Sequence, residues 1–436
     1  MALLEQTLEQ VERAAAAELW DEVCDGLPWL LAAWEGAEKP AEIAERLAQV
    51  MGAVVTLGDT EARRAVSRLW CRLGMPGVVA LTEILLDGEE DFHGRWLAGR
   101  SLGELGAAGM TEARDVVLGL LADQQDDETL AIAAGAITHM GAPAIQALSD
   151  LLSSAETRPA AVRSLVKICH PDIVTPLLTV MGDPDPQLRA IALEAIGTFQ
   201  DRRSLPVLLT ALEDTASLVR REAVRGLGQK AKLILKGESA GIEDSPVTGQ
   251  QLEMILIERL DDFSLEVSQQ AAIALGRLQT PRAIAVLTTT LSKSSTPTPL
   301  RKILIQALVW TDSPIALDAL ATYLSTFHPI RAQDTVEDGE TIQTLIQMLG
   351  RVTGEAPRSH ASAILQTWWR AVFPPPQTPP SERLSHPIRE AIAQSLGQLS
   401  HPDSHPILKT LAEDEIPSVR YRAEAALRRL HSNPES

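Results

Sequence analysis

LRAIALEAIGTF, from Leu188 to Phe199, returns four times with little change: VRREAVRGLGQK (Val219 to Lys230), VSQQAAIALGRL (Val267 to Leu278), IREAIAQSLGQL (Ile388 to Leu399) and VRYRAEAALRRL (Val419 to Leu430). Weaker copies begin at Ala62, Gly94, Thr129, Arg158, Leu300 and Thr341. A unit recurring about every thirty residues, one helical hairpin per unit, predicts a solenoid in which each hairpin buries its apolar face against its neighbours.

With the first residue of each copy as position 1, position 9 is apolar in all eleven copies, from Trp70 and Leu102 to Leu396 and Leu427. Position 5 is apolar throughout as well, usually Ala or Val. Positions 1, 5, 8, 9 and 12 fall on one side of a 3.6-residue helix, so that side is the predicted core stripe. Position 10 is glycine in six copies (Gly103, Gly197, Gly228, Gly276, Gly350 and Gly397), where it permits a close approach or a turn out of the helix. A shorter apolar helix precedes most copies, as in LPVLLTALED (Leu205 to Asp214) and HPILKTLAED (His405 to Asp414).

The joint between the two helices is also repeated: GDPDPQLR (Gly182 to Arg189), EDTASLVR (Glu213 to Arg220) and EDEIPSVR (Glu413 to Arg420). Asp can cap free N–H groups there, and Pro suits a first helical turn. Arg occupies position 2 in seven copies: Arg63, Arg95, Arg189, Arg220, Arg301, Arg389 and Arg420. A repeated Asp followed by a repeated Arg predicts a ladder of charge-assisted bonds between units, a structural role.

A chain of 436 residues exceeds the roughly 250–300 at which one compact core stops growing, a limit that a solenoid escapes. Apolar residues make up 45% and aromatics 3%, so the core must be Leu, Ala, Val and Ile. The net charge of −19 argues against nucleic acid and anionic membrane surfaces as partners. Cys24, Cys71 and Cys169 lie far apart without CxxC spacing, which fits a reducing compartment and offers no zinc or iron–sulfur framework. The start MALLEQTLEQVE lacks a secretory layout, and no apolar run approaches the roughly 18 residues of a membrane span. The expectation is a cytoplasmic protein without a metal or cofactor.

The pattern Asp-x-(Pro/Ser)-x-Val-Arg-x-x-Ala-x-x-Ala-Leu-Gly-x-Leu resembles HEAT repeats, in particular the phycobilisome-lyase-like subclass, over about Glu61 to Leu430. GRWLAGRSLGELG (Gly94 to Gly106) is similar to a segment common in cyanobacterial members. The resemblance implies an all-α, right-handed superhelical solenoid of about eleven to twelve HEAT-like helix pairs. Residues 1–60 are expected to form an N-terminal helical cap and residues 61–436 the repeats, with insertions near 231–250, 326–341 and 371–387. The third insertion is proline-rich, so an extended segment is expected.

No nucleophile–base arrangement, phosphate-cradling glycine loop or HExxH is present. One HEAT-like enzyme family, the deoxyhypusine hydroxylases, binds iron through His-Glu pairs, and this chain has no His-Glu dipeptide. His401 and His405 have i, i+4 spacing, but the prolines around them predict a turn and not a ligating helix. Cys169 falls at position 12, which predicts a buried thiol. Trp20, Trp29 and Trp34 are expected to pack within the cap. Of the adjacent pair Trp368 and Trp369, one is expected to pack and the other to be exposed.

Positions 3 and 7 lie opposite the core stripe. They carry Arg64 and Arg68, Trp96 and Arg100, Arg221 and Arg225, then Lys302 and Gln306, Gln343 and Gln347, Glu390 and Gln394, and Tyr421. By the resemblance, second helices line the concave side, so Arg64, Arg68, Trp96, Arg100, Arg221, Arg225, Gln306, Gln347, Gln394 and Tyr421 are the candidate binding residues. Trp96 is either an exposed anchor or packs beneath a neighbouring loop. The expected function is a non-catalytic protein-binding scaffold or assembly factor, its partner a phycobiliprotein or another photosynthetic component. The alternative is a bilin lyase or isomerase, in which Arg64, Arg68, Trp96 and Arg100 would meet a tetrapyrrole, arginines pairing with its propionates.

Overall fold

The computed structural model describes residues 2–37, 40–122, 127–235, 247–327, 336–373 and 384–432. Among them are twenty-five α-helices and no strand. The centres of the three expected insertions (236–246, 328–335 and 374–383) lie outside the described residues. What flanks them is helical: Ser217–Leu235 runs into the first, and Val336–Leu349 begins straight after the second.

The chain divides into two compact units, Met1–Phe199 and Gln200–Ser436. Each has its helices in two layers, first helices packing on first helices and second on second. In the first unit the first layer comprises Ala2–Ala16, Ala41–Leu57, Met75–Leu86, Thr111–Ala122, Ile145–Leu151 and Val174–Thr179. Its second layer comprises Trp20–Gly36, Thr60–Ser67, Phe92–Ala107, Asp127–Met140, Arg158–Leu165 and Pro186–Thr198. In the second unit, Ser204–Ala211, Gly249–Glu258, Pro281–Ser292, Pro314–Ser325, Glu355–Val372 and His405–Leu411 form the first layer. Ser217–Leu235, Leu265–Leu278, Thr298–Val309, Val336–Leu349, His386–Leu399 and Pro417–Ser432 form the second. The described residues thus make twelve helix pairs, an all-α solenoid.

The expected core stripe is the core. All eleven position-5 residues, from Val66 to Ala423, are at most 1% exposed. Nine of eleven position-9 residues are buried; Val166 and Leu427 are half-buried. One hydrophobic core runs from Leu4 to Ile196 in the first unit, so the three N-terminal helices are packed into it.

Glycine at position 10 serves close approach. A Cβ added at Gly276 would come within 2.8 Å of Ala307 Cβ and carbonyl oxygen, and one at Gly397 within 2.6 Å of Ala426 Cβ. Ala307 and Ala426 are position 8 of the next copy. Neighbouring second helices touch backbone to backbone here because both positions are small.

The expected Asp–Arg ladder is seen at Arg220 and Arg389 among the position-2 arginines and at Arg158, which stands at position 1 of its copy, while Arg95 pairs with Glu128. Arg220 donates from Nε and Nη2 to the two carboxylate oxygens of Asp262 in the next pair, at 2.9 and 2.8 Å. Its Nη1 reaches back to the backbone carbonyl of Asp214 in its own pair at 2.9 Å. Arg389 grips Asp414 in the same bidentate way, at 2.7 and 3.0 Å, and Arg158 holds Asp183 at 2.7 Å. Each of these aspartates also accepts the backbone N–H two residues on: Asp183 from Asp185, Asp262 from Ser264, Asp414 from Ile416. One carboxylate therefore shapes its own turn and ties it to the preceding pair.

Three expectations about individual residues need correction. Cys169 is exposed, because the helix carrying it stops at Leu165 and Ile168 takes the buried place. Trp368 and Trp369 are both buried, the second against Phe373 with ring centroids 4.4 Å apart. Trp29, expected to pack, is 45% exposed, whereas Trp34 is buried.

His401 opens a short turn, its Nδ1 accepting the Asp403 N–H, and the next helix starts at His405, as the prolines predict. His170-Pro171-Asp172 does the same earlier in the chain. No single helix among the described residues is long and apolar enough to cross a membrane.

Candidate functional site

All ten candidate residues are exposed or half-buried, and none is in the core. They sit on the second helices of both units, on the side away from the first layer, because positions 3 and 7 oppose the buried stripe.

In the first unit Arg64 and Arg68 are exposed, Arg68 at the point where Thr60–Ser67 ends. Trp96 is half-buried and packs against the core cluster of the first unit. Its indole runs parallel to the His93 ring, centroids 6.2 Å apart, and the Arg100 guanidinium carbon lies 5.8 Å from its centre. Arg100 Nε also donates to Glu104 at 2.9 Å. His93, Trp96, Arg100 and Glu104 thus form one stripe along Phe92–Ala107, spaced three and four residues apart. Gly135 on the next second helix lies beside the indole, where an added Cβ would make an ordinary contact with Trp96 Nε1 at 3.9 Å.

In the second unit Arg221 and Arg225 flank the buried carboxylate of Glu222, at 2.9 and 3.0 Å. Gln306 and Gln347 are half-buried on successive second helices, and beside them Lys302 Nζ donates to Glu340 at 2.7 Å.

The structure brings two of the candidates together from neighbouring helices. Gln394 and Tyr421 line a groove of about 510 Å³ between His386–Leu399 and Pro417–Ser432. Its floor is Ala393, Gly397, Ala425 and Ala426, and its walls include Glu390, Gln398, Arg422 and Arg429. Arg422 spans it, donating from Nε to Glu390 at 2.6 Å and from Nη1 to the Gln394 side-chain oxygen. Tyr421 stands at the rim, 73% exposed. Sequence reasoning missed Arg422, Gln398 and Arg429. The signal was available, since positions 4 and 11 continue the stripe of positions 3 and 7 on one helix face.

Two further hollows lie in the second unit. One, about 360 Å³ and mostly apolar, lies between the first-layer helices Pro314–Ser325 and Glu355–Val372, lined by Ala321, Phe327, His360, Ile364 and Trp368 among others. The other, about 290 Å³, lies at a turn beside fully exposed Phe263. Among the described residues no group of three or more His, Cys, Asp or Glu side chains is placed to hold a metal ion.

A family model for HEAT repeats matches residues 174–233 and 253–338. Over those two stretches the repeat unit matches the HEAT repeat. Among solved structures, Kap95p, whose binding is described as inducing the switch loops of RanGDP to adopt the GTP-bound conformation, is similar with a TM-score of 0.54. The identity is 12%, over 98% of this chain and 60% of that one. Importin beta in an ammonium sulfate condition gives a TM-score of 0.44 at 14% identity, over 95% of this chain and 64% of that one. Human deoxyhypusine hydroxylase in complex with glycerol gives 0.26 at 20% identity, over 66% of this chain and 96% of that one. The Kap95p likeness shows the HEAT solenoid fold alone, and the two lower scores carry no argument. No curated protein matches the chain.

Proposed function

We propose that this HEAT solenoid is a non-catalytic scaffold or assembly factor that holds a polypeptide partner along its second-helix face. The observation that carries this reading is the placement of positions 3 and 7. In eight of the eleven copies they keep an Arg, Gln, Trp or Tyr out of the core, on helices packed side by side, while the three copies between Thr129 and Phe199 carry only Ala, Gly, Ser or Glu there. Such a surface offers extended polar contact with aromatic and arginine anchors, the composition that protein interfaces favour. HEAT solenoids commonly bind other proteins, Kap95p with RanGDP among them.

The finer reading, that the partner is a phycobiliprotein or another photosynthetic component, rests on the sequence resemblance. It is tested by pull-down from a cyanobacterial lysate, with mass spectrometry and an absorption spectrum of the eluate. Recovery of phycobiliprotein, lost on charge reversal at Arg68 and Arg100, is the expected result. Colourless eluates would remove the light-harvesting partner, and covalent transfer of added bilin to an apo-subunit would replace the scaffold with an enzyme.

A further inference from the structure

The helix Pro417–Ser432 runs against the charge of the chain it belongs to. It carries Arg420, Arg422, Arg428 and Arg429 against Glu424, in a protein of net charge −19. Arg420 is committed to the fold, its Nη1 donating to the backbone carbonyls of Asp414 and Glu415 at 2.7 and 2.9 Å. Arg422 and Arg429 face the groove already described.

The chemistry of that groove is one-sided. Arg422 uses two of its five N–H donors, on Glu390 and Gln394, and its side chain stays 41% exposed. Because the Gln394 oxygen takes one of those bonds, its amide nitrogen is left as a donor. Gln398, one turn along, adds a second amide, and the Tyr421 hydroxyl a further donor at the rim. A floor of alanine and glycine leaves depth for a main chain, which longer side chains would fill. Donors therefore outnumber acceptors around a slot lined by two arginines and one carboxylate.

We infer that this groove takes an extended peptide segment bearing carboxylates, from an acidic partner. Arg422 and Arg429 meet the carboxylates, and the amides of Gln394 and Gln398 bond the peptide backbone. The backbone contacts select a polypeptide over a polyphosphate, and the charge of the whole chain repels nucleic acid. The inference rests on the scaffold reading and names the partner chemistry of one part of its face.

The test is fluorescence anisotropy of a labelled peptide of about eight alternating Glu and Ser residues, enough to cross the groove extended, titrated with the full chain. The same peptide with Gln for Glu, and an RNA oligonucleotide of equal length, serve as comparisons. Ala425→Trp fills the slot and Gln398→Glu reverses its polarity without touching the core. Circular dichroism checks both folds, and Arg282→Glu, exposed on the first-layer helix Pro281–Ser292, is the control.

The expected result is binding of the acidic peptide, weakened at least about tenfold by each groove variant and by the Gln peptide, and unchanged by Arg282→Glu. Equal binding to wild type and Gln398→Glu, equal binding of the Gln peptide, or tighter binding of the RNA would each overturn it. Capture of the lysate partner by a wild-type protein that ignores the acidic peptide would overturn the groove and leave the scaffold standing.

Discussion

Arg220 and Asp262 close a bidentate ion pair across two successive helix pairs, with their side chains 14% and 5% exposed. Removing the arginine strands a buried carboxylate, which costs about 3 kcal/mol. Each repeat contacts only its neighbours, so the loss falls on that joint. Arg220→Met is expected to speed amide hydrogen exchange in Leu265–Leu278 far more than in Pro417–Ser432. Uniform exchange along the unit would show that the pair adds nothing local.

The same pair makes stability depend on pH. Burial alone would raise the Asp262 carboxyl, but hydrogen bonds from Arg220 and the Ser264 N–H, with the charges of Arg220 and Arg259, hold it below the usual carboxylate range. Asp201 is held low as well, chiefly by hydrogen bonds from Arg203. A lowered carboxyl stabilises the fold fully above its unfolded pKa, about 3.9, and that contribution is lost as pH falls through the folded value. Urea midpoints should therefore decline steeply only below about pH 4. In Arg220→Met the decline should begin at higher pH, since burial of Asp262 is then less opposed.

Two glycine-to-alanine substitutions should move stability in opposite directions. Gly119 lies inside Thr111–Ala122 with nothing within 4 Å of an added Cβ, so alanine should gain about 0.5–1 kcal/mol from helix propensity. Gly276 presses on the Ala307 backbone, with an added Cβ 3.0 Å from its Cα, so the overlap should outweigh that gain and leave a net loss of about 1–2 kcal/mol. Thermal melts of the two variants decide it; a stabilised Gly276→Ala would mean the helices are free to separate.

The thiols should divide two to one. Cys71 and Cys169 are exposed, while Cys24 is half-buried and its thiol is pushed up by burial and by Asp59 and its acidic neighbours. A thiol-specific chromogenic reagent should titrate two groups quickly at neutral pH and the third slowly. Three fast thiols would place Cys24 at the surface.

Much of this fold was legible because the sequence repeats its own packing rule. Ala or Val at position 5 and Leu at position 9 stated the core stripe, and Gly276 facing Ala307 explains why small residues recur at positions 10 and 8. Cys169 went astray through a boundary: Pro171 holds His170 extended, and the helix had already ended at Leu165. Trp368 and Trp369 both find cover because Glu355–Val372 packs in the first layer with Phe373 folded back on Trp369. The candidate stripe was readable one helix at a time. The groove was not, because it exists only where Gln394 and Gln398 of one helix meet Tyr421 and Arg422 of the next, and that register is set by the contact of Gly397 with Ala426.

The second-helix face is tested most directly by site-specific photo-crosslinking in the presence of lysate. A photoreactive residue is placed in turn at Arg68, Arg225 and Gln347 on second helices, and at Gln146, Thr210 and Thr289 on first helices, all of them outside the core. Cross-links to one common partner from the second-helix positions, and none from the first-helix positions, are expected. Cross-links confined to the first-helix positions would contradict a scaffold that works through its second helices.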